Sequence, residues 1–363
     1  MNFTPLRVGF IGSGFMGDVH SRATRAARAV LVGVTASSAA SAERAATTLG
    51  FEKGYDSAEA LLADDRIDVV HVLTPNTTHL EFALAAIEAG KHVICEKPLA
   101  TSTVDAKRLA EAAYAAGVIA TVPFVYRFHP MVREARARIA MGQVGRVLSI
   151  QGSYLQDWML AESENNWHMD EKLSGPSRAF ADIGSHLCDL TEFVTGDRIS
   201  RVQAIKRTAF SERSRSRNIT TEDLVAVLVE TIGGAIGTLL VSQVAPGRKN
   251  RLQLEVSGTA ETISFDQEDP ETLWLGRRRG SQLLRRNQEE LSADAVRLSV
   301  LPPGHPLGYQ DAFNAFIVDT YAAIIDQAPD GLPTFDDGLR AVLLTDAVLE
   351  SATTDAWVTI AKE

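Results

Sequence analysis

Cysteine is scarce. Cys95 and Cys188 are the only two among 363 residues, they have no CxxC spacing, and both stand in apolar surroundings. A disulfide framework and a zinc knuckle are therefore excluded, and a reducing, cytoplasmic setting is expected. Long apolar runs are missing too: none approaches the ~20 residues that span a bilayer. The opening MNFTPLRVGFIG carries neither the basic segment nor the apolar stretch of a secretory leader. Positive charge is in deficit, with 36 Lys and Arg against 46 Asp and Glu and a net charge of −10. A field of that sign repels phosphates over most of the surface, so neither nucleic acid nor anionic membrane is an expected partner. The one basic run, GRRRGSQLLRR at 276–286, reads as a solvated loop.

What is present is ordinary globular material, 45% hydrophobic and 23% charged, with length enough for two domains. From Leu6 to Phe124, short β-branched runs (RVGFIG, VLVGVTA, DVVHVL, HVIC, VIATVPF) alternate with Ala-rich helical stretches (HSRATRAARA, SAERAATTL, HLEFALAAIEAG, TVDAKRLAEAAYAAG). Apolar strands separated by helices are what a parallel sheet covered on both faces requires, so residues 1–124 read as a doubly wound α/β domain. Past Val125 the texture changes. After a helix around HPMVREARARIA come longer, alternating strands (RVLSIQGSYLQ, DLVAVLVETIGGAIGTLLVSQV, RLQLEVSG), the central one folding back at Gly233-Gly234. Residues 125–363 read as an α+β domain with an open, mostly antiparallel sheet, with helices at 310–327 and 336–352 and a loop at 277–300.

The first strand runs into Gly12-Ser13-Gly14-Phe15-Met16-Gly17, a GxGxxG opening a helix. The glycines serve a tight turn, close approach of a pyrophosphate, and helix–strand packing. That context predicts a dinucleotide. At the end of the second strand, where a carboxylate would hold the adenosine ribose, stand Ala36, Ser37 and Ser38. Arg44 is the nearest cation and sits well into the next helix, so the expectation leans to NAD and leaves NADP open. Two further strands end at Thr74-Pro75-Asn76 and at Glu96-Lys97-Pro98, on the carboxyl edge where open α/β sheets bind ligands. Finally, AFADIGSHLCDL at 179–190 places Asp182 and His186 four apart, with Asp189 beyond. On a helix that spacing describes either a buried hydrogen-bonded pair or a catalytic dyad. A metal site from these three lacks a further ligand of the usual kind, and none is expected.

The glycine loop, the EKP tripeptide and DIGSHLCDL, at these separations, resemble the Gfo/Idh/MocA family of NAD(P)-dependent sugar and inositol oxidoreductases over the whole length of the chain. More locally YRFHP, GSYLQDW, NNWH, SRAFADIGSH, GRKN and LGYQDAF resemble a sub-branch containing levoglucosan dehydrogenase and NAD-dependent glycosidases of the sulfoquinovosidase kind. The resemblance implies that Lys97, Asp182 and His186 are catalytic, that Lys97-Pro98 is cis, and that the dyad lines a cleft with Lys97. It implies that Gly12, Gly14, Phe15, Met16, Gly17, Ser37, Ser38, Thr74, Pro75, Asn76, His79, Glu96 and Lys97 meet the cofactor. It also implies that Tyr126, Arg127, Tyr154, Gln156, Asp157, Trp158, His168, Arg178, Lys249, Asn250 and Tyr309 face a sugar, with His168 standing where relatives would have arginine. His71 and His92 lie in strand runs and read as core or edge residues, and His79, which begins the helix after TPN, also reads as a cap.

Two chemistries fit this set. One is hydride transfer from a sugar hydroxyl, at ring position 3 by the resemblance. The other is a redox-neutral glycosidase that oxidises C3 transiently, eliminates the aglycone and adds water, for which Tyr126, Asp157 and His168 are candidate second bases. Convergence of Arg127, Arg178, Arg248, Lys249 and Arg251 would suit an anionic, for example sulfonated, sugar. The exposed face of an open sheet is expected to support a homodimer or homotetramer.

Overall fold

The computed structural model describes residues 5–164, 166–214, 218–327 and 329–361, so Asn165 of the NNWH stretch lies outside the described residues. It divides into two compact units. The first comprises Met1–Val125 together with Tyr309–Arg340, the second Tyr126–Gly308 together with Ala341–Glu363. The segment Tyr309–Arg340 groups with the first unit. The reason is packing: Tyr321, Thr320 and Phe316 on the helix Tyr309–Ile324 are buried, and Tyr321 and Thr320 hydrogen-bond to His71 and Thr121.

The first unit holds a six-stranded parallel sheet made of β1 (Arg7–Ile11), β2 (Val30–Thr35), β3 (Lys53–Tyr55), β4 (Val69–Val72), β5 (His92–Cys95) and β6 (Ala120–Thr121). Its order is β3-β2-β1-β4-β5-β6, so the direction of winding reverses between β1 and β4. Val8, Phe10, Val69, Val70, Val72, Val93 and Ile94 are buried on both faces, which is why the runs read as continuous rather than alternating. The helices α1 (Phe15–Ala26), α2 (Ala39–Leu49), α3 (Ala58–Leu62), α4 (His79–Glu88) and α5 (Thr103–Ala116) link them. Ser38, Ser57 and Ser102 cap α2, α3 and α5 through their hydroxyls, and Gly50 and Gly117 close α2 and α5 in the left-handed region.

The second unit is built on nine strands: β7 (Val147–Leu155), β8 (Ile199–Arg207), β9 (Leu224–Thr231), β10 (Ile236–Ser242), β11 (Arg251–Gly258), β12 (Thr262–Asp266), β13 (Thr272–Arg277), β14 (Gly280–Arg285) and β15 (Val358–Thr359). They run in the order β14-β13-β12-β11-β7-β10-β9-β8-β15, and every neighbouring pair but β7–β10 is antiparallel. The β9–β10 hairpin turns at Gly233-Gly234, where Gly234 has φ +85°. Val225, Val227 and Val229 of β9 face inward while Ala226 and Leu228 face out, the period-two pattern of a half-covered sheet. The span 277–300 departs from the loop expected there: it contains β14 and the helix Ala293–Leu298. Of the arginines that suggested a loop, Arg277 ends β13, Arg278 and Arg279 form the turn, and Arg285 sits on the edge strand β14, where charge is the usual guard against further pairing. Among the described residues no helix is long and apolar enough to cross a membrane.

Candidate active site

At the end of β1, Gly12 N–H donates to Thr35 O (3.0 Å) and the residue adopts φ +107°. A Cβ there would lie 2.6 Å from Leu73 O, so only glycine allows the turn. A Cβ on Gly14 would meet no atom of the described residues within 4 Å, whereas one on Gly17 would touch Leu49 Cδ1 at 3.4 Å. The first N–H groups of α1 receive no side-chain cap from Gly14. Open space before uncapped amides fits a pyrophosphate, with Phe15 exposed and Met16 half-buried beside it. Ser37 and Ser38 are exposed at the next turn, where Ser38 Oγ accepts from Ser41 N–H (3.2 Å). Arg44 Nη2 donates to Ser41 Oγ (2.8 Å), which brings this cation nearer the turn than its place in the helix suggested.

Thr74 and Pro75 are tied down by the Thr78 hydroxyl, which contacts Thr74 Oγ1 and donates to Pro75 O (both 2.7 Å), and Asn76 is buried. His79 is not a surface cap. Its ring is fully buried, with Nδ1 2.7 Å from Pro98 O and Nε2 2.9 Å from Thr74 O. It links the Thr74 turn to the Lys97 turn. Lys97 is half-buried and joined to Pro98 by a cis peptide bond. Glu96 is buried, its Oε2 accepting from Lys97 N–H at 3.1 Å.

In the second unit, the segment around Asp182 departs from a regular helix. Phe180–Gly184 forms a wide π-helical turn that leads into the α-helix Ser185–Thr195. The Phe180 ring covers Gly184 so closely that a Cβ there would lie 2.5 Å from it. Asp182, half-buried in the wide turn, accepts from Gln243 Nε2 (2.7 Å). His186 is buried; the Tyr126 ring stands edge-on to it with centroids 5.1 Å apart, and the Tyr154 ring lies at 6.4 Å.

Those two tyrosines open a polar cluster. Tyr154 O–H donates to Asn250 Oδ1 (2.7 Å), Asn250 Nδ2 donates to Tyr126 Oη (3.2 Å), and the Tyr126 and Tyr154 hydroxyls are bonded to each other. The ring of donors closes consistently when Tyr126 donates to Tyr154. Gln156 Nε2 donates to the same Asn250 oxygen (2.8 Å), and Trp158 Nε1 donates to Gln156 Oε1 (2.7 Å). Beyond it the His168 ring stacks on Trp167 (3.8 Å), its Nδ1 2.6 Å from Asn166 Oδ1, and meets Trp158 at 6.0 Å. Lys249 Nζ pairs with Asp157 Oδ2 (2.7 Å), holding that carboxyl below its ordinary range.

Two residues expected at the sugar are paired with buried carboxylates. Arg127 lies in a buried, two-point pair with Asp189, its Nε 2.9 Å from Oδ2, which also accounts for the second acid of the 179–190 motif. Arg178 is fully buried against Asp223, which also takes Arg213 (3.2 Å). Both guanidinium groups are buried in the second unit. Tyr309 begins a helix of the first unit, its ring 6.0 Å from Phe313. Gln243, the partner of Asp182, escaped the sequence reading; its trace there is a lone amide ending the apolar LLVSQV. Among the described residues no group of three or more His, Cys, Asp or Glu is arranged to hold a metal.

A doubly wound sheet with an open glycine turn, and a second unit presenting a histidine among sugar-type hydrogen-bonding groups, define a nicotinamide-dependent oxidoreductase of two-domain type. The description "Oxidoreductase family, NAD-binding Rossmann fold" matches residues 6–124 and "GFO/IDH/MocA C-terminal domain" matches 132–264. The chain belongs to the Gfo/Idh/MocA oxidoreductase family, and its first unit is an NAD-binding domain. It is 30% identical to the levoglucosan dehydrogenase of Pseudarthrobacter phenanthrenivorans over 98% of both chains. A solved levoglucosan dehydrogenase holding NADH and L-sorbose superposes with a TM-score of 0.93 at 31% identity, covering 99% of this chain and all of the other. An oxidoreductase domain protein from Kribbella flavida does so at 0.91 and 34%, with 99% and 100% covered. The D-glucoside 3-dehydrogenase of Escherichia coli is 30% identical over 54% of this chain and 56% of its own.

Proposed function

We propose that the chain is an NAD-dependent dehydrogenase that oxidises a secondary hydroxyl, C3 by preference, of a neutral sugar or glycoside. The observation that carries this reading is the cluster of Tyr126, Tyr154, Gln156, Trp158 and Asn250 beside His186, which offers both hydrogen-bond partners for hydroxyls and rings for C–H faces. His186 takes the hydroxyl proton, an imidazole being suited to that work near neutral pH. Asp182, held by Gln243, supplies the negative charge that steadies it. Lys97 stabilises the developing alkoxide. NAD, which the Gly12–Gly17 turn would hold, would supply the hydride acceptor. The relatives support the substrate class through the sugars in their names, levoglucosan and D-glucoside.

The pairing of the five cations considered from sequence supports a neutral substrate. Arg127 meets Asp189, Arg178 meets Asp223, Arg248 meets Glu268 (3.6 Å), Lys249 meets Asp157, and Arg251 meets Asp266 (2.9 Å). Compensated charges give an anion little reason to bind. The test is incubation with NAD and a panel of neutral and sulfonated hexosides and anhydrosugars, following reduced nicotinamide and free aglycone together. Reduction with neutral members and no aglycone is the expected result. Aglycone release without net reduction would instead make the chain a glycosidase, and turnover of sulfonated members alone would overturn the neutral assignment.

We further propose self-association through the outward face of the second unit's sheet. Ile205, Leu228, Ile236 and Leu240 are exposed on neighbouring strands, with Ile205, Ala226 and Leu240 in one row. Light scattering at micromolar concentration should give twice or four times the chain mass, and Leu240→Lys should halve it; a monomer would refute the assignment.

A further inference from the structure

The first unit contains a chain of buried polar side chains that the chemistry above does not use. It runs from Thr24 through Tyr321, His71 and His20 to Glu96, all 7% exposed or less. Thr24 Oγ1 lies 3.4 Å from Tyr321 Oη, which lies 3.1 Å from His71 Nε2; His71 Nδ1 is 2.9 Å from His20 Nδ1, and His20 Nε2 is 3.0 Å from Glu96 Oε1. From the sequence His71 reads as a core or edge residue, and His20 stands three residues beyond the glycine loop.

A carboxylate only accepts, so His20 Nε2 carries a proton in either charge state of its ring. The other oxygen of Glu96 accepts the backbone N–H of Lys97. One buried carboxylate is thus shared between the imidazole of α1 and the turn that presents Lys97. The groups facing it are His20, Lys97, His79 from α4 and Cys95. Burial pushes the Glu96 carboxyl up, yet the bond from His20 and the charges of His20 and Lys97 bring it below its ordinary value. Burial holds the His71 ring well below its ordinary value and the Tyr321 phenol well above. The far end of the chain therefore neither takes up nor releases a proton near neutrality, which makes it a brace rather than a proton outlet.

We propose that His20 is a positioning residue for Lys97, acting through Glu96: it holds the carboxylate in place, and the carboxylate fixes the Lys97 backbone and favours the ammonium form. The catalytic consequence rests on the reading of Lys97 as the alkoxide-stabilising group.

The test uses the full chain without substrate. Competitive acetic anhydride labelling against pH, read on the Lys97 peptide by mass spectrometry, reports the titration of that amine directly. His20→Leu should move the Lys97 profile to lower pH by about one unit, because a carboxylate that has lost its donor is no longer held beside the ammonium. His20→Gln, which keeps an N–H within reach of Glu96, should restore most of the shift. Lys206, far along the chain on β8, should not move in either variant. A folded His20→Leu protein with an unchanged Lys97 profile overturns the proposal, as does an equal shift in His20→Gln and His20→Leu. Should His20→Leu fail to fold, Glu96→Gln carries the same expectation and the same refutation. Turnover separates the two readings: an active Lys97→Met protein overturns the role of Lys97, whereas an inactive Lys97→Met beside a fully active His20→Leu overturns only the role of His20.

Discussion

Replacing His186 by alanine is expected to lower kcat by about 10²–10⁴ while NAD affinity stays within a few fold, since the glycine turn and its neighbours belong to the first unit. The fold should survive at a cost of about 1–2 kcal/mol for a buried ring lost from between two tyrosines. Asp182→Asn should fall in the same range. Asparagine can still offer Gln243 an oxygen, but it withdraws the charge and turns the second acceptor into a donor. If the two residues act as one unit, the double variant loses little more than either single one. A purely structural pair behaves otherwise: melting temperature collapses and turnover per folded molecule is preserved. Melting point, nucleotide affinity and turnover measured on the same three proteins decide, and wild-type turnover in folded His186→Ala would end the catalytic reading.

Legibility in the sequence followed the range over which each feature is determined. The parallel sheet was readable because strands such as VVHV are buried on both faces, and the β9–β10 hairpin because Gly233-Gly234 interrupts an alternating run. The glycine turn was readable because only glycine tolerates φ +107° beside Leu73 O. Features fixed by distant partners were not. Arg127 and Arg178 looked like free cations because Asp189 and Asp223 lie 62 and 45 residues away. The wide turn at Asp182 depends on the Phe180 ring folding over Gly184, which no helical period encodes. His79 looked like a cap because the carbonyls that hold it come from two different loops. The polar cluster at Tyr126 was legible only residue by residue: its members come from Tyr126, β7 and the turn before β11, and the sequence does not say that Asn250 closes them into a ring.

Asp223→Asn should be among the most destabilising single substitutions in the second unit. Its carboxylate lies between Arg178 and Arg213, whose side chains are both without solvent exposure, and its Oδ2 also accepts the Ala209 and Phe210 N–H groups at 2.6 and 3.1 Å. Asparagine fits the space and can satisfy the two amides, but it leaves two guanidinium groups facing each other across a neutral residue. Breaking a buried ion pair from one side costs about 3–5 kcal/mol. In a chain of this size that is a fall in melting temperature on the order of 10 °C. Arg178→Met should cost less, because Asp223 keeps Arg213 and its two amide donors. The same pair of variants distinguishes the assignments of Arg178. If its guanidinium braces the fold, KM for sugar well below the melting temperature is unchanged in both proteins. If instead Arg178 touches the sugar, Arg178→Met raises KM at least tenfold in a protein that melts almost normally.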